Sequence, residues 1–164
     1  MRIVFINMSD RCYRGEAVDL SGDKAVQLMQ DAGFPITERH TLPDEKSMLE
    51  ELLIRLCDEG SDLILTSGGT GLSPRDITPE ATLAVADRQI PGICEAMRAE
   101  GLKHKPSAML SRAVAVQRGK TVIVNLPGST KAVEENLGVL IPALDHMFHM
   151  VSGEGHSHEA YLKR

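Results

Sequence analysis

The chain has 164 residues, 42% of them hydrophobic and 25% charged, with no tryptophan, which is the size and balance of one globular domain with a substantial core. A formal net charge of -5 and a pI of about 5.7 exclude the basic footprint expected of a nucleic-acid binder. No apolar run approaches the ~20 residues of a membrane-spanning helix, Met1–Asn7 turns polar too soon for a signal peptide, and Cys12, Cys57 and Cys94 stand too far apart for a zinc spacing and cannot all pair within one chain, so free thiols in the cytoplasm are expected.

Ile3–Ile6 reads as a buried first strand. A helix is expected over Asp19–Ala32, with Ala25, Leu28, Met29 and Ala32 on one face and Gly33 as its stop. Phe34–Leu42 contains a second, more polar strand. Glu45–Glu59 reads as a helix that turns Met48, Leu49, Leu52, Leu53 and Leu56 inward and ends at Gly60. Asp62–Leu65 is a short apolar run of the kind found in a buried parallel strand. Beyond it, Thr78 is placed as an N-cap with Pro79 at the first helical position, in a helix reaching about Asp87. Pro91–Gly101 suggests another helix. Ala113–Val116 and Thr121–Val124 flank Gln117-Arg118-Gly119-Lys120, a hairpin signal that adds one antiparallel pair. The last helix is expected over Lys131–Val151, opened by Ser129 or Thr130 and kinked or restarted at Pro142. Alternating strands and helices imply βαβ units and a mostly parallel sheet over residues 1–155, followed by a polar tail at 156–164.

Chemistry concentrates where strands give way to helices. Thr66-Ser67-Gly68-Gly69-Thr70-Gly71-Leu72-Ser73-Pro74-Arg75-Asp76 follows the third strand and places three glycines within four residues. Such a loop exposes backbone N–H groups beside the positive end of a helix, which attracts phosphate; the plainer reading is a tight turn that needs positive φ. It is neither a Walker A sequence nor a G-x-G-x-x-G fingerprint. A second turn, Asn125-Leu126-Pro127-Gly128-Ser129-Thr130, also joins an apolar strand to a helix, and the two turns can line one crevice at the carboxyl edge of the sheet. Asp44 and Asp76 both fall at strand-to-helix junctions. Each has a plain alternative, an N-cap for Asp44 and a turn residue for Asp76, but facing one crevice they can hold a magnesium ion on a triphosphate. Arg75 reads either as a phosphate partner or as a solvated loop residue, and Ser9-Asp10-Arg11 reaches the same edge from the first strand. His146, His149, His156 and His158 mimic a metal-ligand spacing, yet no carboxylate or cysteine completes the set, and a solvated or packed role is the expectation.

Taken in order, Leu42-Pro43-Asp44-Glu45, the eleven-residue loop with Thr78-Pro79-Glu80-Ala81, Pro91-Gly92, Leu110-Ser111-Arg112 and Asn125-Leu126-Pro127-Gly128-Ser129 resemble the molybdenum-cofactor biosynthesis proteins of the molybdopterin adenylyltransferase type, a domain that also occurs in gephyrin. The resemblance runs from Ile3 to about Gly155. It implies a three-layer α/β/α fold, a homotrimer, and a reaction in which the molybdopterin phosphate attacks the α-phosphorus of ATP with Mg²⁺ and releases pyrophosphate. On the family's pattern Asp44 and Asp76 are the catalytic and metal-holding carboxylates. Ser67, Gly68, Gly69, Thr70, Gly71 and Ser73 hold phosphate, Pro127, Gly128 and Ser129 close the other side, and Ser9 and Ser107 are further candidates. ATP and molybdopterin are the implied substrates, and a molybdate-insertion protein is the implied transient partner. A second class of function stays open: a non-catalytic molybdopterin-binding carrier or paralogue that assists molybdate insertion, the chain being closer in length to the family's short paralogues.

Overall fold

The computed structural model describes residues 1–153. Ile3–Met8 (β1) is buried at every residue, as a strand covered on both faces must be. Ser9 caps the short helix Asp10–Tyr13 (α1), accepting a hydrogen bond from the Cys12 N–H at 3.2 Å. Leu20–Asp31 (α2) is capped by Asp19 and stopped by Gly33, whose φ of +84° only glycine adopts without strain. Glu38–Leu42 (β2) is a half-exposed edge strand.

Lys46–Asp58 (α3) buries Leu49, Leu52, Leu53 and Leu56, each worth about 2 kcal/mol against exposure. Met48, expected inward, is 37% exposed. The four leucines already fill the stripe that meets the sheet, and Met48 falls at its rim.

Leu63–Ser67 (β3) leads through the glycine loop into Thr78–Ala84 (α4). Two expectations change here. The N-cap is Ile77 rather than Thr78, which moves Pro79 one position in, and the helix ends at Ala84 instead of reaching Asp87. The Thr78 hydroxyl is drawn away from capping by the Gly68 carbonyl, to which it donates at 2.9 Å.

Arg88–Gln89 (β4) and Pro91–Leu102 (α5) follow, then a 3-10 turn at Pro106–Leu110. Ala115–Arg118 (β5) and Thr121–Leu126 (β6) form the expected hairpin around a two-residue turn, tighter than the four residues read from the sequence. Thr130–Leu140 (α6) is capped by Ser129, and Pro142 interrupts it with the 3-10 turn Ile141–Ala143 before Leu144–Ser152 (α7).

The strands order as β2-β1-β3-β6-β5-β4. The expectation of one antiparallel pair is corrected to two, because β5 pairs with β4 as well as with β6. Two residues, both exposed, carry no strand pattern to read. One core joins Phe5, Leu65 and Val124 to α2, α5, α6 and Leu144. The other joins Ile6, Ile64 and Ile123 to α3 and α4. These are the two faces of one sheet, since successive strand residues point to opposite sides, and the expected three layers result.

Candidate active site at the carboxyl edge of the sheet

The connections from β1 and β3 leave in opposite directions, β1 towards β2 and β3 towards β6. Ligands of open α/β sheets bind beside such a reversal, at the carboxyl ends of the strands. There the glycine loop folds back over β1. Gly68 and Gly69 have φ of +95° and +64°, and neither tolerates a side chain. A Cβ on Gly68 would lie 2.3 Å from the Met8 carbonyl oxygen, and one on Gly69 would lie 2.3 Å from Thr78 Oγ1. Gly128 of the second turn packs against the loop, its would-be Cβ 3.3 Å from the Gly68 Cα.

Carbonyls of the loop are held by hydrogen bonds. The Arg112 guanidinium donates to Gly71 O at 2.6 Å and to Asp76 O at 2.7 Å, and also pairs with Glu80. The Arg112 backbone N–H bonds Thr70 O at 3.0 Å, and Thr78 N–H bonds Gly69 O at 3.1 Å. The N–H groups of Gly69, Thr70 and Gly71 donate to nothing among the described residues. Such a row of unpaired amides is an anion cradle.

The same three residues line a crevice of about 400 Å³ whose walls include residues of α5 and α6. Gly68, Gly69, Thr70, Gly71 and Asp76 line it from one turn, and Pro127, Gly128 and Ser129 from the other. Ser107 reaches it from the 3-10 turn, and Arg98 and Lys105 add cations on that wall. Arg98 is braced by the Ser111 and Ala113 carbonyls, at 3.4 and 3.1 Å. Ser129 marks the start of α6, where unpaired N–H groups and the helix dipole favour negative charge.

The carboxylates flank the loop. Asp76 Oδ2 accepts the Ser73 N–H at 2.8 Å, and a Cβ on Gly71 would lie 3.0 Å from it. Asp44 stands outside the crevice wall, its Oδ1 3.5 Å from where a Gly69 Cβ would be. It does not cap α3, which starts from Glu45. Instead Asp44 and Asp10 brace one another: Asp10 N–H donates to Asp44 Oδ2 at 3.3 Å and Asp44 N–H to Asp10 Oδ1 at 3.1 Å. Burial pushes the Asp44 carboxyl above the usual aspartate range, and the charges of Asp10 and Asp76 push it the same way. Asp10 is held below that range, first by the Asp44 N–H and then by Arg75. Arg75 donates through Nη2 to both Asp10 oxygens at 2.8 Å and through Nη1 to Glu45 at 3.0 Å, so in this structure it is spoken for by carboxylates.

Other residues singled out from the sequence stand elsewhere. The Ser67 hydroxyl is fully buried and donates to Pro127 O at 3.0 Å, tying the two turns together. Ser73 is exposed and its Oγ accepts the Arg75 N–H at 3.3 Å, while Ser9 is occupied in capping α1. Asn125, which opens the second turn, is fully buried and donates to Thr66 and Thr82 hydroxyls at 3.0 and 2.9 Å. Among the described residues no group of three or more His, Cys, Asp or Glu is arranged to hold a metal ion. His146 and His149 lie on α7, and His156 and His158 lie outside the described residues. Sequence reading missed the Arg112 clamp, although the triplet Leu110-Ser111-Arg112 had drawn notice, and it missed the Asp10–Arg75 pair.

Comparison with known proteins places the chain in one family. Residues 4–146 match the family described as a probable molybdopterin binding domain. The chain is 39% identical to the molybdopterin adenylyltransferase of Helicobacter pylori J99 over 93% of its own length and 89% of that protein. It is 41% identical to the Escherichia coli K12 molybdopterin adenylyltransferase, covering 84% of this chain and 72% of that one. It also matches Dictyostelium discoideum gephyrin at 38% identity, over 24% of that longer protein. The molybdopterin biosynthesis enzyme MoaB of Thermus thermophilus superposes with a TM-score of 0.87 at 44% identity, covering 93% of this chain and 96% of that one. A structure of MogA superposes with a TM-score of 0.88 at 38% identity, covering 92% and 99%.

Proposed function

The chain belongs to the molybdopterin-binding domain family, and we infer from that membership that it is a molybdopterin adenylyltransferase of molybdenum cofactor biosynthesis. In the reaction we propose, an oxygen of the molybdopterin phosphate attacks the α-phosphorus of ATP. The bond to the β-phosphate breaks, and pyrophosphate leaves with the electron pair. The nucleophile is already anionic, so no general base is required; catalysis consists of positioning and charge neutralisation.

One observation carries this reading: Gly69, Thr70 and Gly71, whose amides are unpaired, and Ser129 at the start of α6 line one crevice. Two unit charges 4 Å apart repel by about 4 kcal/mol at an effective dielectric of ~20. A hydrogen bond to a charged group contributes about 1.5–3 kcal/mol, so two or three such amides offset one pair. Lys105 stands ready on the opposite wall.

Asp44 and Asp76 supply two carboxylates, too few for a resident metal but suited to a Mg²⁺ that arrives on a triphosphate and keeps phosphate and water ligands. When bound, that ion neutralises charge on the transferring and leaving phosphates. Arg112 holds the loop carbonyls of Gly71 and Asp76 in hydrogen bonds. Asp10 holds Asp44 in place through their reciprocal backbone bonds, and Arg75, paired with Asp10, offsets the negative charge that Asp10 brings.

We place the reaction in the cytoplasm; no helix among the described residues is long and apolar enough to cross a membrane. We also propose a homotrimer that hands its product to a molybdate-insertion protein, which light scattering of the isolated chain tests, a monomer at micromolar concentration being the contrary result. The decisive assay is pyrophosphate release from ATP and Mg²⁺ with and without molybdopterin. Release that depends on the pterin supports the transferase. Tight pterin binding without release would instead identify a carrier.

A further inference from the structure

The wall formed by α6 holds a carboxylate that the reaction does not use. Ser129, Ala132 and Asn136 line the crevice at the spacing of one helix face, and Glu135 joins them. The Glu135 side chain is only 11% exposed, and its ion-pair partner is Lys131 at 3.8 Å, a lysine that is 80% exposed. Its carboxylate accepts no side-chain or loop hydrogen bond among the described residues. A carboxylate this withdrawn from water with so weak a partner has lost hydration without gaining hydrogen bonds. Donors from a bound molecule would supply them.

Position and surroundings say which donors. Glu135 lies six residues beyond the Ser129 cap, about 9 Å along the helix axis. A molecule with its phosphate at the start of α6 therefore presents its opposite end to Glu135. Facing it are Met97 and Gly101 of α5, with Ala108 and Leu110 beyond. Gly101 lets this wall close up, since a Cβ there would stand 2.8 Å from Ala108 Cβ. The result is a slot in which apolar surface from Met97, Ala108 and Leu110 stands beside the cations Arg98 and Lys105 on one side, with the Glu135 carboxylate on the other, a mix that suits a flat heterocycle carrying polar groups on its edge.

We propose that Glu135 is the residue that reads the pterin, accepting two parallel hydrogen bonds from the ring N–H and the adjacent exocyclic amino group of its pyrimidinone edge. An ionised carboxylate is acceptor-only, so it pairs with two neighbouring donors as it does with the fork of an arginine. The amino edge of adenine sets one donor beside a ring-nitrogen lone pair, which a carboxylate oxygen repels. Asn136 carries a donor and an acceptor and so does not discriminate between the rings. This assignment rests on molybdopterin being the substrate and deepens that reading, giving the crevice a means of seating pterin rather than adenine between α5 and α6.

The test is equilibrium titration of the full chain with molybdopterin, with phosphooxymethylpterin, and with the lumazine counterpart in which the exocyclic amino group is replaced by oxygen. The wild-type chain is expected to favour the pterin over the lumazine by at least tenfold. Glu135→Gln offers one acceptor and one donor, so it should weaken molybdopterin at least tenfold and reverse the preference towards the lumazine, with ATP affinity unchanged. Glu135→Ala should lose the preference altogether. A misfolded variant cannot gain lumazine affinity, so the reversal separates recognition from a structural role. Molybdopterin binding by the wild type with the same pterin preference in both variants overturns the proposal alone, as does a loss confined to ATP. No molybdopterin binding by the wild type overturns both the proposal and the functional reading beneath it.

Discussion

Replacing Gly69 by alanine separates the two demands that the glycine loop makes on its backbone. At φ +64° an alanine pays about 1–2 kcal/mol for left-handed backbone, offset by about 0.4–1 kcal/mol from a stiffer unfolded chain. Gly33→Ala carries the same conformational cost at φ +84°, yet a Cβ there would meet nothing within 4 Å, so about 1 kcal/mol is expected. At Gly69 the Cβ would also stand 2.3 Å from Thr78 Oγ1. It must displace the hydroxyl whose bond to Gly68 O spans 2.9 Å. Losing that bond and leaving a buried polar group unpaired adds about 1–3 kcal/mol, for a total of about 2–4 kcal/mol. Urea denaturation of both variants measures the difference directly. Titration with molybdopterin and ATP should show at least a tenfold loss for Gly69→Ala and none for Gly33→Ala. Equal destabilisation of the two variants, or wild-type ligand affinity in Gly69→Ala, would refute the close-approach argument and reduce the loop to an ordinary turn.

Asp76→Asn should keep the fold, since the amide oxygen can still accept the Ser73 N–H, but slow AMP transfer at least tenfold, about 1.4 kcal/mol of transition-state stabilisation; unchanged turnover would remove Asp76 from the metal site. Arg112→Ala should lower stability by about 2 kcal/mol and weaken ATP binding at least tenfold. Arg112→Lys should restore little of either, because one ammonium cannot reach Gly71 O, Asp76 O and Glu80 as the guanidinium fork does, and full rescue by lysine would contradict the clamp. Asp44 has a raised carboxyl pKa, chiefly from burial, so its contribution to stability is present below the ordinary aspartate pKa and is lost as pH rises through its own elevated value. Asp44→Asn, permanently neutral, should therefore be more stable than the wild type at neutral pH and approach it in acid. Denaturation midpoints at about pH 4 and about pH 7, values chosen to bracket that range, check the sign, and a less stable variant at neutral pH would show that the charge is favourable in place.

Local chemistry determined much of this protein from its sequence alone. The apolar runs at Ile3–Ile6, Leu63–Leu65 and Val122–Val124 read as buried strands, being too short for helices and lacking, through burial on both faces, the alternation that a half-exposed strand shows. Gly33 and Gly60 end helices at positive φ, and the glycine loop was legible as a strand-to-helix junction, since three glycines within four residues are costly anywhere else. The tertiary structure decided what depends on partners distant in sequence. Met48 lies on the periodic face of α3 yet at its rim, because the width of the contact with the sheet, not the period, sets which residues are covered. Thr78 caps nothing because Gly68 O, ten residues away, competes for its hydroxyl. Arg88–Gln89 becomes a strand only because β5 offers it an edge. Arg75 meets Asp10 across 65 residues, Arg112 meets Gly71 across 41, and Glu135 reaches the crevice because α6 is packed with that turn facing α5. A hydrogen bond or an ion pair is made by whatever the fold brings within about 3 Å, and no spacing along the chain encodes that distance.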